Sequence, residues 1–362
     1  MPKNFTLSVL VLIPLAACSL VPKGYDPADP AAFAPMPHTY EGIRDGRGRF
    51  REISCAVVEA RKEQEPHYES CDQALRNLGD EPVASGLAVS LGRAERALVA
   101  AFVPGIGWEC FENWMKYNNE FGNPGFDLGY ESLIFSIDGL SGSAHNGDQI
   151  RTQIIEKSSE FQPHSLVIIG YSKGINDALE AIVQYPEIHP YIAAVVSVAG
   201  AVGGSPLAQD IDENDLGLMK HIPDAACSDG DGKAVEALLP AARDIWMAEH
   251  QLPPEIPYYT LITLPEPEEV SNILHPSYRR LAKIDPRNDG QLIVSDQLLP
   301  DSTVLGYLNA DHWAVAVPIA EEHPFIAGVF VDQNTFPRKS LAEAVLRYIE
   351  EDLRVTPETD LN

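Results

Sequence analysis

The chain predicts an α/β fold with a mostly parallel central sheet flanked by helices, and three observations carry that expectation. Six short runs are nearly continuous in apolar character: "ALVAAFV" (97–103), "SLIFSI" (132–137), "SLVIIG" (165–170), "IAAVVSVAG" (192–200), "YYTLITL" (258–264) and "STVLGYL" (302–308). Strands buried on both faces read this way. Helix-like segments alternate with them: "ECFENWMKYNNEF" (109–121), "NGDQIRTQIIEKSSEF" (146–161), "SKGINDALEAIVQY" (172–185) and, closing the chain, "RKSLAEAVLRYIEEDL" (338–353). Finally, a Gly-x-Ser-x-Gly turn, "GYSKG" at 170–174, stands where the third run gives way to a helical pattern.

Taken from the N-terminus, residues 1–17, "MPKNFTLSVLVLIPLAA", have a lysine near the start, an apolar stretch and small residues at the end, the shape of a signal peptide. The stretch is shorter than the roughly twenty apolar residues a bilayer span needs. Its end, Leu15-Ala16-Ala17-Cys18, resembles the lipobox of bacterial lipoproteins, in which the cysteine is lipidated and becomes the mature N-terminus. That resemblance implies a two-chain lipid anchor on Cys18. With Ser19 in place of an aspartate, it also implies the outer membrane of the cell envelope. Residues 18–40 are rich in proline and alanine and read as an extended tether.

Residues 41–94 read as a helical segment in which "FREISCAVVEA" and "ESCDQALRNL" form a small hairpin around a polar turn. Export leaves Cys55, Cys71, Cys110 and Cys227 beside Cys18, an even number in an oxidising compartment. Three pairings exist. Cys55 with Cys71 would staple the hairpin, which leaves Cys110 with Cys227, the alternative being two free buried thiols. Residues 95–352 hold the sheet, interrupted at about 203–253 by an acidic, loop-rich stretch with an amphipathic "VEALLPAARDIWMAEH"; residues 353–362 form a tail.

Composition excludes some classes. With 45% apolar and 8% aromatic residues the chain has the make-up of a packed globular protein, and a formal net charge of −27 repels nucleic acid and anionic head groups. No DNA or RNA partner is expected, and an acyl substrate would be held by apolar contacts.

Ser172 has the context of a nucleophile: a buried strand before it, a helix after it, and Gly170 and Gly174 to let the two pack closely. Ser141 and Ser143 in "DGLSGSAHNG" read instead as a loop, with His145 solvated or lining the pocket. A serine nucleophile needs a base, and His312, a few residues beyond the last strand in "NADHW", can reach the same sheet edge. For the acid, Asp289 in "RNDGQLIV" lies at a turn, with Asp285 and Glu266 as rivals. The backbone amide of Lys173 supplies one oxyanion donor, and Ile106 or Gly107 in "VPGIGWEC" the second. Trp108 and Phe111 are candidates for an apolar wall against an acyl chain. "DGDG" at 229–232 has too few ligands after it for a calcium loop, so no metal is expected.

The order Ser172, Asp289, His312, the strand-turn-helix around "GYSKG", the "PGIG" loop and the "NDG…NADHW" ending resemble the α/β-hydrolase superfamily in its serine lipase and esterase branch. The resemblance covers about residues 95–352. It implies the α/β-hydrolase fold, a Ser-His-Asp triad, no cofactor, an acyl-enzyme, and a cap or lid over the acyl site at about 203–253, tied by Cys227 to the wall at Cys110. Amidases, thioesterases and acyltransferases use the same groups, and a binding or scaffold lipoprotein would keep the fold without the activity. Pro104-Gly105 stands where many lipases carry a His-Gly pair.

Overall fold

Five of the six apolar runs become strands because their side chains alternate between apolar layers on the two faces of the sheet. A computed structural model of the chain describes residues 42–64, 66–111, 128–211, 228–317 and 335–355. The first half of the described chain runs β1 (Arg44–Asp45), α1 (Arg47–Arg61), α2 (Cys71–Ala74), β2 (Leu75–Arg76), β3 (Val99–Val103), β4 (Glu131–Ile134), α3 (Ser143–Glu156), β5 (Leu166–Tyr171) and α4 (Gly174–Gln184). The second half runs β6 (Ile192–Val198), α5 (Pro240–Glu249), β7 (Tyr258–Thr263), α6 (His275–Leu281), α7 (Val294–Gln297), β8 (Thr303–Leu308) and α8 (Arg338–Val355).

The sheet is ordered β1-β8-β7-β6-β5-β3-β4 with parallel neighbours, and β2 adds antiparallel to β8. On one face, Phe102, Val167, Ile169, Val196 and Leu261 pack against Phe50 and Ile53 of α1 and Val345 and Ile349 of α8. On the other, Ala101, Val103, Ile168 and Val195 pack against Ile150 and Ile154 of α3 and Ile175 and Ile182 of α4. β5 lies centrally, with Gly170 paired in register with Val103 and with Ser197. The turn after β5 therefore emerges at the C-terminal edge of the sheet, between the ends of two neighbouring strands.

Two expectations change. The run at 132–137 is not a strand buried on both faces: β4 is the end of the strand order, and Ile134 is 47% exposed. The second helix of the N-terminal hairpin stops after one turn, because Leu75 and Arg76 pair with Leu308 and Tyr307 of β8. That segment is thus joined to the sheet. The amphipathic helix of the stretch 203–253 is α5, set on the route from β6 to β7 with Trp246 and Met247 against the α3–α4 layer and Trp246 Nε1 donating to Glu180. Residues 212–227 of that stretch lie outside the described residues. Of the helix expected at 109–121, a 3-10 turn at Trp108–Phe111 is described and the rest is not.

Cys55 and Cys71 form a disulfide that joins α1 to α2. Cys110 is disulfide-bonded as well, and its expected partner Cys227 lies outside the described residues. So do the signal segment, Cys18 and the tether. No helix among the described residues is long and apolar enough to cross a membrane.

Candidate active site

The elbow after β5 is built by close approach. Ser172 has φ +54°, a left-handed conformation that L-residues seldom adopt, and it is held there by backbone bonds from Ser172 N to Val198 O at 3.3 Å and from Ala201 N to Ser172 O at 3.0 Å. A β-carbon on Gly170 would lie 2.5 Å from Ile175 Cα, and one on Gly174 would strike the carbonyl oxygens of Val103 and Pro104. Only glycine at both positions lets β5, α4 and the end of β3 come together, which leaves Ser172 Oγ at the sheet edge beside the N-terminus of α4.

Two long loops bring the other groups. His312 Nε2 is 2.9 Å from Ser172 Oγ, and His312 Nδ1 is 2.8 Å from Asp289 Oδ2. Asp289 is fully buried, and its carboxylate is saturated with donors. Thr263 Oγ1 reaches Oδ2 at 2.6 Å, while the backbone N–H groups of Gln291 and Leu292 reach Oδ1 at 2.8 and 2.7 Å. With the carboxylate accepting, His312 Nδ1 carries the hydrogen and Nε2 presents a lone pair to the serine hydroxyl. The backbone N–H of His312 also donates to Asp289 O at 3.0 Å, so the two loops are tied along the main chain too.

The rival acids lie elsewhere. Asp285 is paired with Arg287 at 2.6 and 2.9 Å, and Glu266 is exposed. Ser143 is the first residue of α3 and not part of a loop as expected; its hydroxyl donates to Asp177 at 2.7 Å. Ser141 Oγ accepts from Asp231 N, and the half-exposed His145 pairs with Asp138 at 2.8 Å. The "DGDG" turn is structural: Asp231 Oδ1 accepts from Gly142 N and Lys233 N.

Of the amides expected to face an oxyanion, Lys173 N and Ile106 N donate to no backbone carbonyl among the described residues. Gly107 N does not qualify, because it is taken up by Gly139 O at 3.0 Å. The loop carrying Ile106 lies against Ser172, since a β-carbon on Gly105 would be 3.0 Å from Ser172 Cβ. Trp108 is half-buried, its ring 5.3 Å from that of Phe102 and 6.2 Å from that of Tyr171, so it packs on the aromatic cluster beneath the site. The side chain of Phe111 lies outside the described residues.

Several residues were not foreseen. Tyr171 places its ring 5.3 Å from the His312 ring at a tilt of 32° and donates its hydroxyl to His312 O at 2.7 Å; burial pushes its phenol well up, with the carboxylates of Asp289 and Asp311 adding to the shift, so it stays a donor. Asp311, fully buried next to His312, accepts from Trp313 N and Ala314 N at 2.9 and 2.8 Å and from the N–H and hydroxyl of Ser271. It fixes the turn that carries His312. The signal was present in "NADHW", where an aspartate two and three residues ahead of free amides reads as a turn-capping acid. Cys55, Cys71 and Asp72 form the one grouping of metal-ligating side chains among the described residues, and its two sulfurs are bonded to each other.

A parallel sheet with helices on both faces and a serine elbow on its central strand defines the α/β-hydrolase class of fold. No family model matches the sequence, and no curated protein matches it. Among solved structures, the metagenomic carboxyl esterase MGS0156 is 37% identical, over 89% of this chain and 98% of that one, with a TM-score of 0.79. The chain belongs to the α/β-hydrolase family that includes this carboxyl esterase. The fold alone is shared with the Staphylococcus hyicus lipase (12% identity, 74% of this chain and 99% of that one, TM-score 0.52) and with the mature Bacillus licheniformis lipase BlEst2 (17%, 68% and 97%, 0.50).

Proposed function

We propose that the chain hydrolyses carboxylic esters, lipid esters among them, with Ser172 as nucleophile, His312 as base and Asp289 as the acid that orients it. The observation that carries the reading is the unbroken line from Ser172 Oγ through both ring nitrogens of His312 to a donor-saturated Asp289, with contacts of 2.9 and 2.8 Å. Membership of the family of a carboxyl esterase supports an ester as the substrate.

In this reading Ser172 Oγ attacks the ester carbonyl carbon while its proton passes to His312 Nε2. The carbonyl oxygen becomes an oxyanion and is met by the N–H groups of Lys173 and Ile106. Asp289 keeps its charge and stabilises the imidazolium. As the carbon–oxygen bond to the alcohol breaks, the leaving oxygen takes the proton from Nε2, and the acyl group remains on Ser172. Water then attacks the acyl carbon and gives a proton to Nε2. That proton returns to Ser172 Oγ as the carboxylic acid departs. The half-buried ring of Trp108, 6.2 Å from that of Tyr171, offers an apolar surface to the acyl chain.

The same reading places the enzyme on a membrane without spanning it, through acyl chains on Cys18 and the tether to residue 40, on the outer membrane of a bacterial envelope. The "LAAC" sequence supports this. The triad is tested by labelling with a fluorophosphonate: the wild type labels and Ser172→Ala does not, and label that persists in the variant removes Ser172 from the role. Alkynyl palmitate fed to expressing cells should mark the wild type and not Cys18→Ala; equal labelling of both rejects the anchor.

A further inference from the structure

A buried line of side chains behind the elbow has no part in the proton transfers just described. Lys173 Nζ, with its side chain 1% exposed, donates to both oxygens of Asp177, one helical turn along α4, at 2.7 and 2.8 Å. From α3, Ser143 Oγ donates to Asp177 Oδ1 at 2.7 Å and Asn146 Nδ2 to Oδ2 at 2.8 Å. Asn146 Nδ2 also reaches the carbonyl of Asp138 at 3.1 Å. The next residue, Gly139, accepts from Gly107 N at 3.0 Å, and a β-carbon on Gly139 would lie 2.9 Å from that same nitrogen. One end of the line is therefore the residue whose amide follows the nucleophile. The other end presses on the loop that carries Ile106.

We propose that Lys173, Asp177 and Asn146 are positioning residues that fix the spacing between the two oxyanion amides, an inference that rests on the serine-hydrolase reading above. The amides of Lys173 and Ile106 belong to separate segments, after β5 and after β3. Hydrogen bonds to a developing oxyanion are productive only over a few tenths of an ångström, so the separation of the two segments matters for rate more than for folding. Stability gives no better reason for keeping this ion pair. Buried pairs can often be replaced by apolar side chains of similar volume without loss. Asn146 in addition leaves Oδ1 without a partner among the described residues, a cost that an aliphatic residue would avoid. The line holds charged and amide groups because they connect the two segments through directional bonds.

The test uses the full chain and the double variant Lys173→Met/Asp177→Leu, which removes both charges together and leaves none buried alone. With a nitrophenyl ester, kcat should fall about tenfold or more with KM within about twofold, because the lost interaction acts on the transition state. The inhibition constant of an alkyl trifluoromethyl ketone, whose serine adduct carries an oxyanion, should rise by the same factor. A purely structural role would lower the melting temperature without this parallel rise. Should the double variant not fold, the same two measurements on Asn146→Leu, which keeps the ion pair and cuts the line at α3, decide the matter. Folded variants with wild-type kcat and ketone affinity overturn the proposal. A wild type that neither hydrolyses the ester nor takes the fluorophosphonate overturns the serine-hydrolase reading instead.

Discussion

Ser172 and His312 meet at 2.9 Å, yet the two sides of that contact are built by different physics. The elbow is held by backbone bonds and by contacts too close for any side chain at Gly170 or Gly174. The loops that carry Asp289 and His312 are held by side chains that accept from the backbone: Asp289 from Gln291 and Leu292, and Asp311 from Ser271, Trp313 and Ala314. The elbow should therefore fail when an atom is added. The loops should fail when an acceptor is lost.

The largest effect is expected on the loop side, from Asp289→Asn. Two backbone N–H groups point at Oδ1, so the new amide must place its oxygen there and its NH2 where Oδ2 was. The NH2 then faces His312 Nδ1 and forces the ring hydrogen onto Nε2, which removes the lone pair that takes the serine proton in the proposed mechanism. Steady-state kinetics should show kcat lower by about 10³–10⁴-fold with the fold retained, the scale known for a reversed imidazole tautomer. A loss below about tenfold would mean that a different acid orients the ring.

On the elbow side, Gly174→Ala adds one carbon against the carbonyl oxygens of Val103 and Pro104, and backbone of a fully buried strand end cannot swing aside. Overpacking of this kind costs about 1–3 kcal/mol. Melting should drop by about 1–4 °C, since an unfolding entropy of about 2.1 cal/mol/K per residue makes each kcal/mol worth about 1.3 °C in a chain of this size. Fluorophosphonate labelling should slow as well, because α4 and the Lys173 amide move together. An alanine variant with unchanged melting and labelling would show that the elbow has slack and is not set by contact.

The same contrast explains what could be read in advance. The elbow is local: glycines at fixed offsets from a serine, after an apolar run, place Ser172 without knowledge of anything distant. Asp289 and His312 were legible through their order along the chain and their places beyond strand ends. The bonds that hold them were not, since Thr263 and Gln297 lie on other elements and nothing in "TLITL" marks Thr263 as a donor. Gly107 was a reasonable amide until Gly139 from a separate loop took it. The misread strand and helix share that cause. "SLIF" is as apolar as its neighbours, but the pairing order sets it at an edge, and "CDQAL" has helical character that pairing with β8 overrides at Leu75.

The smallest effect tests where saturation of the loop side ends. Asp296 sits in α7 next to Gln297, which bonds Thr263, and it lines a cavity of about 370 Å³ with Leu207, Asp210, Pro240 and Arg280. Unlike that of Asp289, its carboxylate accepts a single hydrogen bond among the described residues, from Ser295 Oγ at 3.4 Å, and burial pushes its carboxyl from 3.8 to about 7, with Asp244 and Asp285 adding to the rise. A raised carboxyl means that the native state binds more protons than the unfolded state between about pH 4 and 7. Stability therefore falls as pH climbs through that window, and the contribution is gone above it. Asp296→Asn removes the titration and keeps the shape. Its melting temperature should exceed that of the wild type at pH 8, and the gap should close as the pH is lowered towards 4. A gap that stays constant across the range would assign the difference to packing in the cavity wall, and would leave Asp296 as well compensated as Asp289.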